Sequence, residues 1–152
     1  VGAYGGRREI MSMVAPAGPV YQAGTLSGNP IAMAAGLTQL KYLYAHPEVY
    51  TSLEEKGEQL YGGMEKILEK KGLPWKVNHV SSLASLFFTE EPVVDYITAK
   101  TSDTVQFSKY FLGMLKQGIH LAPSQFEAMF LSVAHDEEAI AETLDAVEAV
   151  LS

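Results

Sequence analysis

The spacing of apolar residues predicts long helices in the first half of the chain. Apolar residues occupy nearly every face of a segment from about Pro30 to Tyr44, which predicts a helix buried on most sides. A second helix is predicted from Pro47 to about Lys71, because its apolar residues recur on one face and its charged residues lie off that face. The residues of this apolar face are Val49, Leu53, Leu60, Met64 and Ile67.

After Trp75 the period shortens, and strand-like patterns alternate with helices. WKVNHV and LASLFFT predict two strands, and a third helix is expected after a cap at Ser102 or Asp103. IHLAP and AMFLSVA predict two more short strands around the turn PSQFE, and a last helix begins at about Asp136. The order β-β-α-β-β-α is typical of an α+β unit.

The first residues have the pattern of a strand that needs neighbours. VGAYGG predicts a buried strand that runs into a glycine turn, and RREIMSMVA predicts a short amphipathic helical turn that PAGP breaks. A strand is stable only when it is paired, and no other strand is predicted before Trp75. We therefore expect the chain to begin inside a larger sheet domain.

A nearly uncharged stretch, YQAGTLSGNP, leads into the first long helix. Residues 27–28 suit a turn, Asn29 suits the N-cap and Pro30 suits the first helical position. Capping leaves Gly24 and Thr25 unexplained. A helix N-terminus with free backbone N–H groups, a hydroxyl and glycines can hold a phosphate or a carboxylate. A plain capped turn and an anion site both fit these residues.

The composition excludes several classes of partner. The chain has 152 residues, of which 47% are hydrophobic, enough for a folded, soluble domain with a core. A net charge of -7, with arginine only at Arg7 and Arg8, argues against nucleic acid and anionic membranes. The absence of cysteine fits a reducing compartment, by default the cytosol. No apolar run is long enough to span a membrane, and the first residues do not resemble a signal peptide.

One acid stands out among residues that could carry chemistry. The four histidines lack metal-ligand spacing, so no metal site is expected, and neither a nucleophile elbow nor a P-loop is present. Glu127 lies in the predicted turn between Phe126 and Phe130, where an apolar setting could raise its pKa or place it over a pocket. A solvated turn acid is the alternative interpretation.

Two long motifs carry a family resemblance that covers the whole chain. VGAYGGRREIMSMVAPAGPVYQAGTLSGNPIAMAAG and GIHLAPSQFEAMFLSVAH closely resemble glutamate-1-semialdehyde 2,1-aminomutases. The resemblance implies an α/β, fold-type-I transferase dependent on pyridoxal phosphate, of which this chain is the C-terminal third. Residues 1–45 would end the large cofactor-binding domain, and residues 46–152 would form a small α+β domain with a short antiparallel sheet.

The same resemblance implies a site shared between subunits of a cytoplasmic homodimer. Gly24 and Thr25 would bind the cofactor's phosphate in the neighbouring subunit, and Glu127 would orient or hydrogen-bond the substrate. The family's Schiff-base lysine would lie before Val1, so the chain alone is expected to be inactive. The pyridoxamine form of the cofactor would give its amine to glutamate-1-semialdehyde and recover the neighbouring amine, which yields 5-aminolevulinate for tetrapyrrole (heme) synthesis.

The chain departs from the family pattern at two places. Ser82, Leu83 and Ala84 stand where a GSMF-like stretch is expected, and Met129 stands in EAMF where EAGF is usual. Both stretches are expected near the site in the small domain. The departures therefore bear on substrate preference and efficiency.

Two other functions remain open from the sequence. A class III aminotransferase for ω-amino acids generally has HGSTF before GNP and a small-domain arginine that clamps the substrate's α-carboxylate. This chain has QAGTLSGNP and no arginine after Arg8. A non-catalytic dimerisation or interaction module is the other alternative, because an isolated apolar helix at residues 30–44 would favour association.

Overall fold

The computed structural model describes residues 2–151, which form two compact units that divide between Pro47 and Glu48. The regular elements of the first unit are two helices, α1 (Arg8–Met11) and α2 (Pro30–Ala45). The second unit contains four helices and three strands in its described part. They are α3 (Glu48–Lys71), β1 (Lys76–Val80), β2 (Leu83–Phe87), α4 (Tyr96–Ala99), α5 (Thr104–Lys116), β3 (Met129–Phe130) and α6 (Glu137–Val150).

The strand predicted at residues 1–6 is wrong for its described part. Residues 2–6 have no regular structure and are exposed, and Val1 lies outside the described residues. The physical reason is the absence of a pairing partner among residues 2–47, because an extended segment forms a strand only against a neighbour. The short helical turn predicted next is confirmed as α1.

The bounds predicted for α2 are confirmed, but the predicted burial is wrong. Gly36 is the buried residue of this helix, whereas Ile31 is 82% exposed and Tyr44 is 92% exposed. The apolar face is exposed because no described residue covers it. Within residues 2–151, no helix is both long and apolar enough to cross a membrane.

The second unit has its core between α3, α5, α6 and one face of the sheet. The predicted apolar face of α3 is confirmed, with Leu60, Met64 and Ile67 buried. The backbone of the β1–β2 turn approaches α3 closely, since a Cβ atom added to Gly57 would lie within 1.9 Å of the carbonyl oxygen of Ser81. Other fully buried core side chains are Tyr61, Met114, Ile140, Val147 and Leu151.

The sheet is antiparallel, in the order β1-β2-β3. The two strands predicted after Trp75 are confirmed as β1 and β2, and the last helix is confirmed as α6 with Asp136 as its N-cap. AMFLSVA contributes only the two residues of β3. Its register places Leu83 opposite Phe130 and Ala84 opposite Met129.

The strand predicted at IHLAP is wrong. The N–H of Ile119 donates to the carbonyl of Met114 at 2.9 Å and closes the end of α5, so the chain leaves the helix in a turn. Farther along, the side chain of Gln125 bonds the carbonyl of Leu86 in β2. A side chain therefore occupies a backbone acceptor that a further strand would otherwise have used.

Candidate functional site

The loop before α2 is closed by its own backbone hydrogen bonds. The N–H of Ser27 donates to the carbonyl of Gly24 at 2.9 Å, and the N–H of Asn29 donates to the carbonyl of Leu26 at 3.0 Å. Gly28 has a φ of 74°, a conformation that side chains with a Cβ atom rarely adopt. The turn predicted at residues 27–28 is therefore confirmed, and it requires a glycine.

Asn29 is confirmed as the N-cap of α2. Its side-chain oxygen accepts hydrogen bonds from the N–H groups of Ile31 and Ala32, both at 3.1 Å, and Pro30 takes the first helical position. The first free donors of the helix are thus already occupied. An anion at this helix end would bind the loop before the cap.

Gly24 and Thr25 lie in that loop, and both are exposed. Within residues 2–151, their backbone N–H groups and the Thr25 hydroxyl have no acceptor. Gly24 lies on the wall of an open cleft of about 760 Å³ that Tyr4 and Gln22 also line. The residues that line the cleft include no acidic side chain. Unpaired donors without a competing carboxylate fit a phosphate group.

Glu127 lies in the turn that the sequence predicts, but its surroundings differ from the expectation. The N–H of Glu127 donates to the carbonyl of Ser124 at 3.2 Å, which forms the turn, and the side chain of Glu127 is exposed. Phe126 is 51% exposed and Phe130 is 68% exposed. The two flanking aromatic rings are therefore largely exposed and do not bury the carboxylate as expected.

A small cavity lies beside Glu127. It has a volume of about 20 Å³ and is lined by Glu127, Gln125 and Met129 among others. This volume is roughly that of one water molecule. Glu127 could bond a substrate from the outer surface of this turn, whereas the cavity itself is too small for a substrate.

Sequence reasoning missed two buried polar residues near Glu127. Ser102 was a candidate cap for α5, but the N-cap is Asp103, whose carboxylate accepts from the N–H groups of Val105 and Gln106. Ser102 and Gln125 are instead buried and bonded to each other at 2.8 Å. Ser102 and Asp103 both suit the N-cap of α5, and a helix needs only one, which is the sequence signal that Ser102 has another role.

The structure therefore brings Gly24 and Thr25 together in the first unit and places Glu127 in the second. Each of the two sites is defined by contacts within its own unit. Among residues 2–151, no group of three histidine or acidic side chains could hold a metal ion.

Comparison with known proteins identifies the relatives of this chain. No family model matches it. It is 60% identical over 151 residues to glutamate-1-semialdehyde 2,1-aminomutase 1 of Lachnoclostridium phytofermentans, a match that covers 99% of this chain and 35% of that protein. It is 54% identical over 149 residues to an aminomutase of Thermus thermophilus, covering 98% of this chain and 35% of that protein.

The chain matches the C-terminal third of glutamate-1-semialdehyde 2,1-aminomutases. The family resemblance drawn from the two motifs is thereby confirmed. The chain spans about a third of the length of these relatives.

Solved structures with the same fold include transaminases. An omega-transaminase from Sphaerobacter thermophilus has a TM-score of 0.78 and 29% identity, with 97% of this chain and 34% of that chain covered. A transaminase with PLP bound has a TM-score of 0.73 and 28% identity, covering 96% of this chain and 33% of that chain. A glutamate-1-semialdehyde aminomutase from Pseudomonas aeruginosa PAO1 shares the fold at 19% identity, with a TM-score of 0.61 and 68% and 23% of the two chains covered. The predicted fold class, a fold-type-I transferase with a small antiparallel sheet, is confirmed.

Proposed function

We propose that this chain is the C-terminal part of a pyridoxal-phosphate-dependent aminomutase that converts glutamate-1-semialdehyde into 5-aminolevulinate for tetrapyrrole synthesis. The observation that carries the proposal is the 60% identity over 151 residues to an aminomutase. The unpaired donors of Gly24 and Thr25 support it, because this enzyme class needs a place for the cofactor's phosphate.

In this proposal the two units belong to two domains of the longer enzyme. Residues 1–45 form the end of the large cofactor-binding domain, and residues 46–152 form the small domain. The exposed apolar side chains of α2 support this assignment, since contiguous apolar surface is normally covered by another part of a protein. We propose that the rest of the large domain and a second subunit cover the apolar face of α2.

The loop before α2 holds the cofactor in this proposal. The backbone N–H of Gly24 and the hydroxyl of Thr25 donate to the phosphate of the cofactor bound by the neighbouring subunit of a homodimer. Asn29 occupies the first N–H groups of α2, so the donors to the phosphate come from the loop before the cap. When bound, pyridoxal phosphate supplies the electron sink for exchange of the amino group, and it cycles through its pyridoxamine form.

Glu127 positions the substrate in this proposal. Its exposed carboxylate accepts hydrogen bonds from the substrate's amino group and thereby orients the carbon atoms between which the amine moves. The turn at residues 124–127 holds the Glu127 backbone while the side chain stays accessible. We propose a cytoplasmic location, which fits the cysteine-free composition.

The aminomutase is favoured over the class III aminotransferase of ω-amino acids. Curated relatives at 54–60% identity are aminomutases, whereas the omega-transaminase structure is 29% identical. The chain also has no arginine after Arg8 to clamp a substrate α-carboxylate in the small domain. The exposed apolar face of α2 also fits a non-catalytic interaction module, but such a module does not account for the identity to aminomutases.

A genetic test separates these functions. The longer polypeptide that contains this chain is expressed in bacteria that cannot make 5-aminolevulinate, and growth is scored without added 5-aminolevulinate. The proposal predicts growth, and it predicts reduced growth for the Glu127→Gln variant at equal protein level. Failure of the unmodified polypeptide to restore growth, when a known aminomutase restores it, would contradict the proposal.

A further inference from the structure

Beyond its pairing with β3, the end of the middle strand β2 forms hydrogen bonds with side chains instead of with a further strand. The N–H of Leu131 donates to the carbonyl of Ser82 at 2.9 Å, and β3 pairs with the start of β2. Farther along β2, the side-chain Nε2 of Gln125 donates to the carbonyl of Leu86 at 2.7 Å. The side chain of Gln125 thus donates to β2 the hydrogen bond that the backbone of a neighbouring strand would otherwise donate.

Ser102 extends the same set of bonds to the residue after β2. The N–H of Phe88 donates to Ser102 Oγ at 2.7 Å, and the Ser102 hydroxyl donates to Gln125 Oε1 at 2.8 Å. A peptide N–H can only donate and a peptide carbonyl can only accept, so both ends of this chain of bonds are fixed. The amide of Gln125 therefore has one orientation, with Oε1 toward Ser102 and Nε2 toward Leu86.

The two side chains are buried, which gives these bonds their importance. Ser102 is 6% exposed and Gln125 is 4% exposed. Gln125 is the one buried residue between Ile119 and Ala128, a segment without regular secondary structure. The loss of a buried hydrogen bond leaves an unpaired polar group, which costs more than the loss of an exposed bond. Gln125 thus attaches this segment to the end of β2 through a buried hydrogen bond.

The attachment fixes the backbone next to Glu127. Gln125 points into the unit, while Phe126 and Glu127 are exposed, and the N–H of Glu127 bonds the carbonyl of Ser124. Only Phe126 therefore separates Glu127 from the anchored residue Gln125 along the chain. A shift of Gln125 would move the Glu127 carboxylate with it.

We propose that Gln125 and Ser102 are positioning residues for Glu127. They hold the turn at residues 124–127 on the end of β2, so that the carboxylate of Glu127 is placed before the substrate arrives. This inference rests on the proposed function, because it takes Glu127 as the residue that orients the substrate. Neither Gln125 nor Ser102 needs to touch the substrate in this role.

The test uses the longer polypeptide with its cofactor and a matched pair of substitutions. Gln125→Glu keeps the shape of the side chain but places an oxygen against the carbonyl of Leu86, and Ser102→Ala removes the bridging hydroxyl. Gln117→Glu and Ser108→Ala are the controls, since both residues are exposed and belong to α5 or its C-cap. Each substitution is also made together with Glu127→Gln.

Two measurements are made on each variant. The first is kcat/KM for formation of 5-aminolevulinate, and the second is hydrogen–deuterium exchange of the peptide that contains residues 121–128. Misplacement of an orienting group by about 1 Å can cost up to roughly a hundredfold in rate, so we expect a loss of about tenfold or more for Gln125→Glu and for Ser102→Ala. The same two variants should exchange faster in this peptide, and the control variants should match the unmodified enzyme.

The double variants separate positioning from a loss of stability alone. If Gln125 acts through Glu127, Gln125→Glu causes no more than about a twofold further loss of kcat/KM when Glu127 is already glutamine. Additive losses, or unchanged kcat/KM in Gln125→Glu, would overturn this inference and leave the proposed function standing. If the unmodified polypeptide makes no 5-aminolevulinate, the proposed function fails and the inference fails with it.

Discussion

Ala84 and Met129 lie directly opposite each other across the β2–β3 pairing. Ala84 is 3% exposed, and Met129 packs against the core that Ala84 belongs to. They belong to the two stretches at which the chain departs from the family pattern, namely residues 82–84, where a GSMF-like stretch is expected, and EAMF, where EAGF is usual. Residues directly opposite on antiparallel strands share one face of the sheet. The two departures therefore meet at one cross-strand pair of the sheet.

A double-mutant cycle tests whether the two residues are coupled. Ala84→Phe alone should overpack the sheet and lower the free energy of unfolding by about 1–3 kcal/mol. Met129→Gly alone should also destabilise the protein, because it removes packed side-chain atoms and adds a flexible residue to a strand. Unfolding of the single and double variants is followed by chemical denaturation.

The double variant should recover part of the loss, with a coupling free energy of about 1 kcal/mol or more. The effects on substrate preference should be coupled in the same way, and they are read from kcat/KM. Strict additivity of the two substitutions would show that Ala84 and Met129 do not share this space.

Gly57 and Gly62 of α3 provide a matched pair for the packing of the β1–β2 turn. A Cβ atom at Gly57 would lie 1.9 Å from the Ser81 carbonyl oxygen, which belongs to the backbone. A Cβ atom at Gly62 would lie 3.0 Å from Glu58 Oε1, the end of a flexible side chain. Gly57→Ala should lower the free energy of unfolding by about 2–3 kcal/mol or more.

Gly62→Ala should change the free energy of unfolding by less than about 1 kcal/mol, since alanine favours the helix. Thermal unfolding of the two variants measures the difference. Equal melting temperatures would contradict the close approach of the turn to α3.

Two buried tyrosines should make the fold sensitive to alkali. Burial raises the pKa of Tyr61 from 10.0 to about 12 and raises the pKa of Tyr110 further. The unfolded chain releases these protons near pH 10.0, whereas the folded chain retains them, so the unfolded state binds fewer protons above that pH. Stability from these groups is full below pH 10.0 and falls as the pH rises through the window to about 12.

Tyr110→Phe should weaken the fall in stability above pH 10.0, because it removes one of the titrating groups. Denaturant midpoints across this pH range measure the effect, and Tyr44→Phe is the control, since Tyr44 is 92% exposed. The same pH dependence in Tyr110→Phe and in the unmodified protein would contradict the role assigned to its burial.

Thr25 should contribute to retention of the cofactor. A hydrogen bond to a charged group is worth about 1.5–3 kcal/mol, so Thr25→Ala should weaken binding of pyridoxal phosphate by roughly tenfold or more. Thr38→Ala is the matched control, because the Thr38 hydroxyl bonds the carbonyl of Ala34 within α2. Titration of the longer polypeptide with the cofactor gives both dissociation constants. Similar losses in the two variants would show that the loop hydroxyl has no special role.

The sequence predicts the local structure well where caps and apolar periods coincide. The bounds of α2, its cap Asn29 and the start of α6 follow from such signals, and the structure confirms them. The prediction of a strand at residues 1–6 is wrong because a strand has no local cap and depends on a pairing partner, which residues 2–47 do not supply.

The surroundings of the candidate site could not be predicted in the same way. Glu127 was placed in a turn by the local pattern, but the burial of Gln125 depends on its bond to Leu86, far away along the chain. A polar residue in a turn is ordinarily expected to face water. Gly24 and Thr25 were found through the family motif, since a short run of small residues is equally typical of a plain capped turn.

The most direct measurement is the product formed by the longer polypeptide, loaded with cofactor, from glutamate-1-semialdehyde as its one substrate. An aminomutase exchanges the amine within one carbon skeleton, so the proposed function predicts 5-aminolevulinate in amounts equal to the substrate consumed, with no added amino acceptor. Consumption only when a 2-oxo acid is added, with loss of the amine to that acid, would contradict the proposed function and favour an aminotransferase.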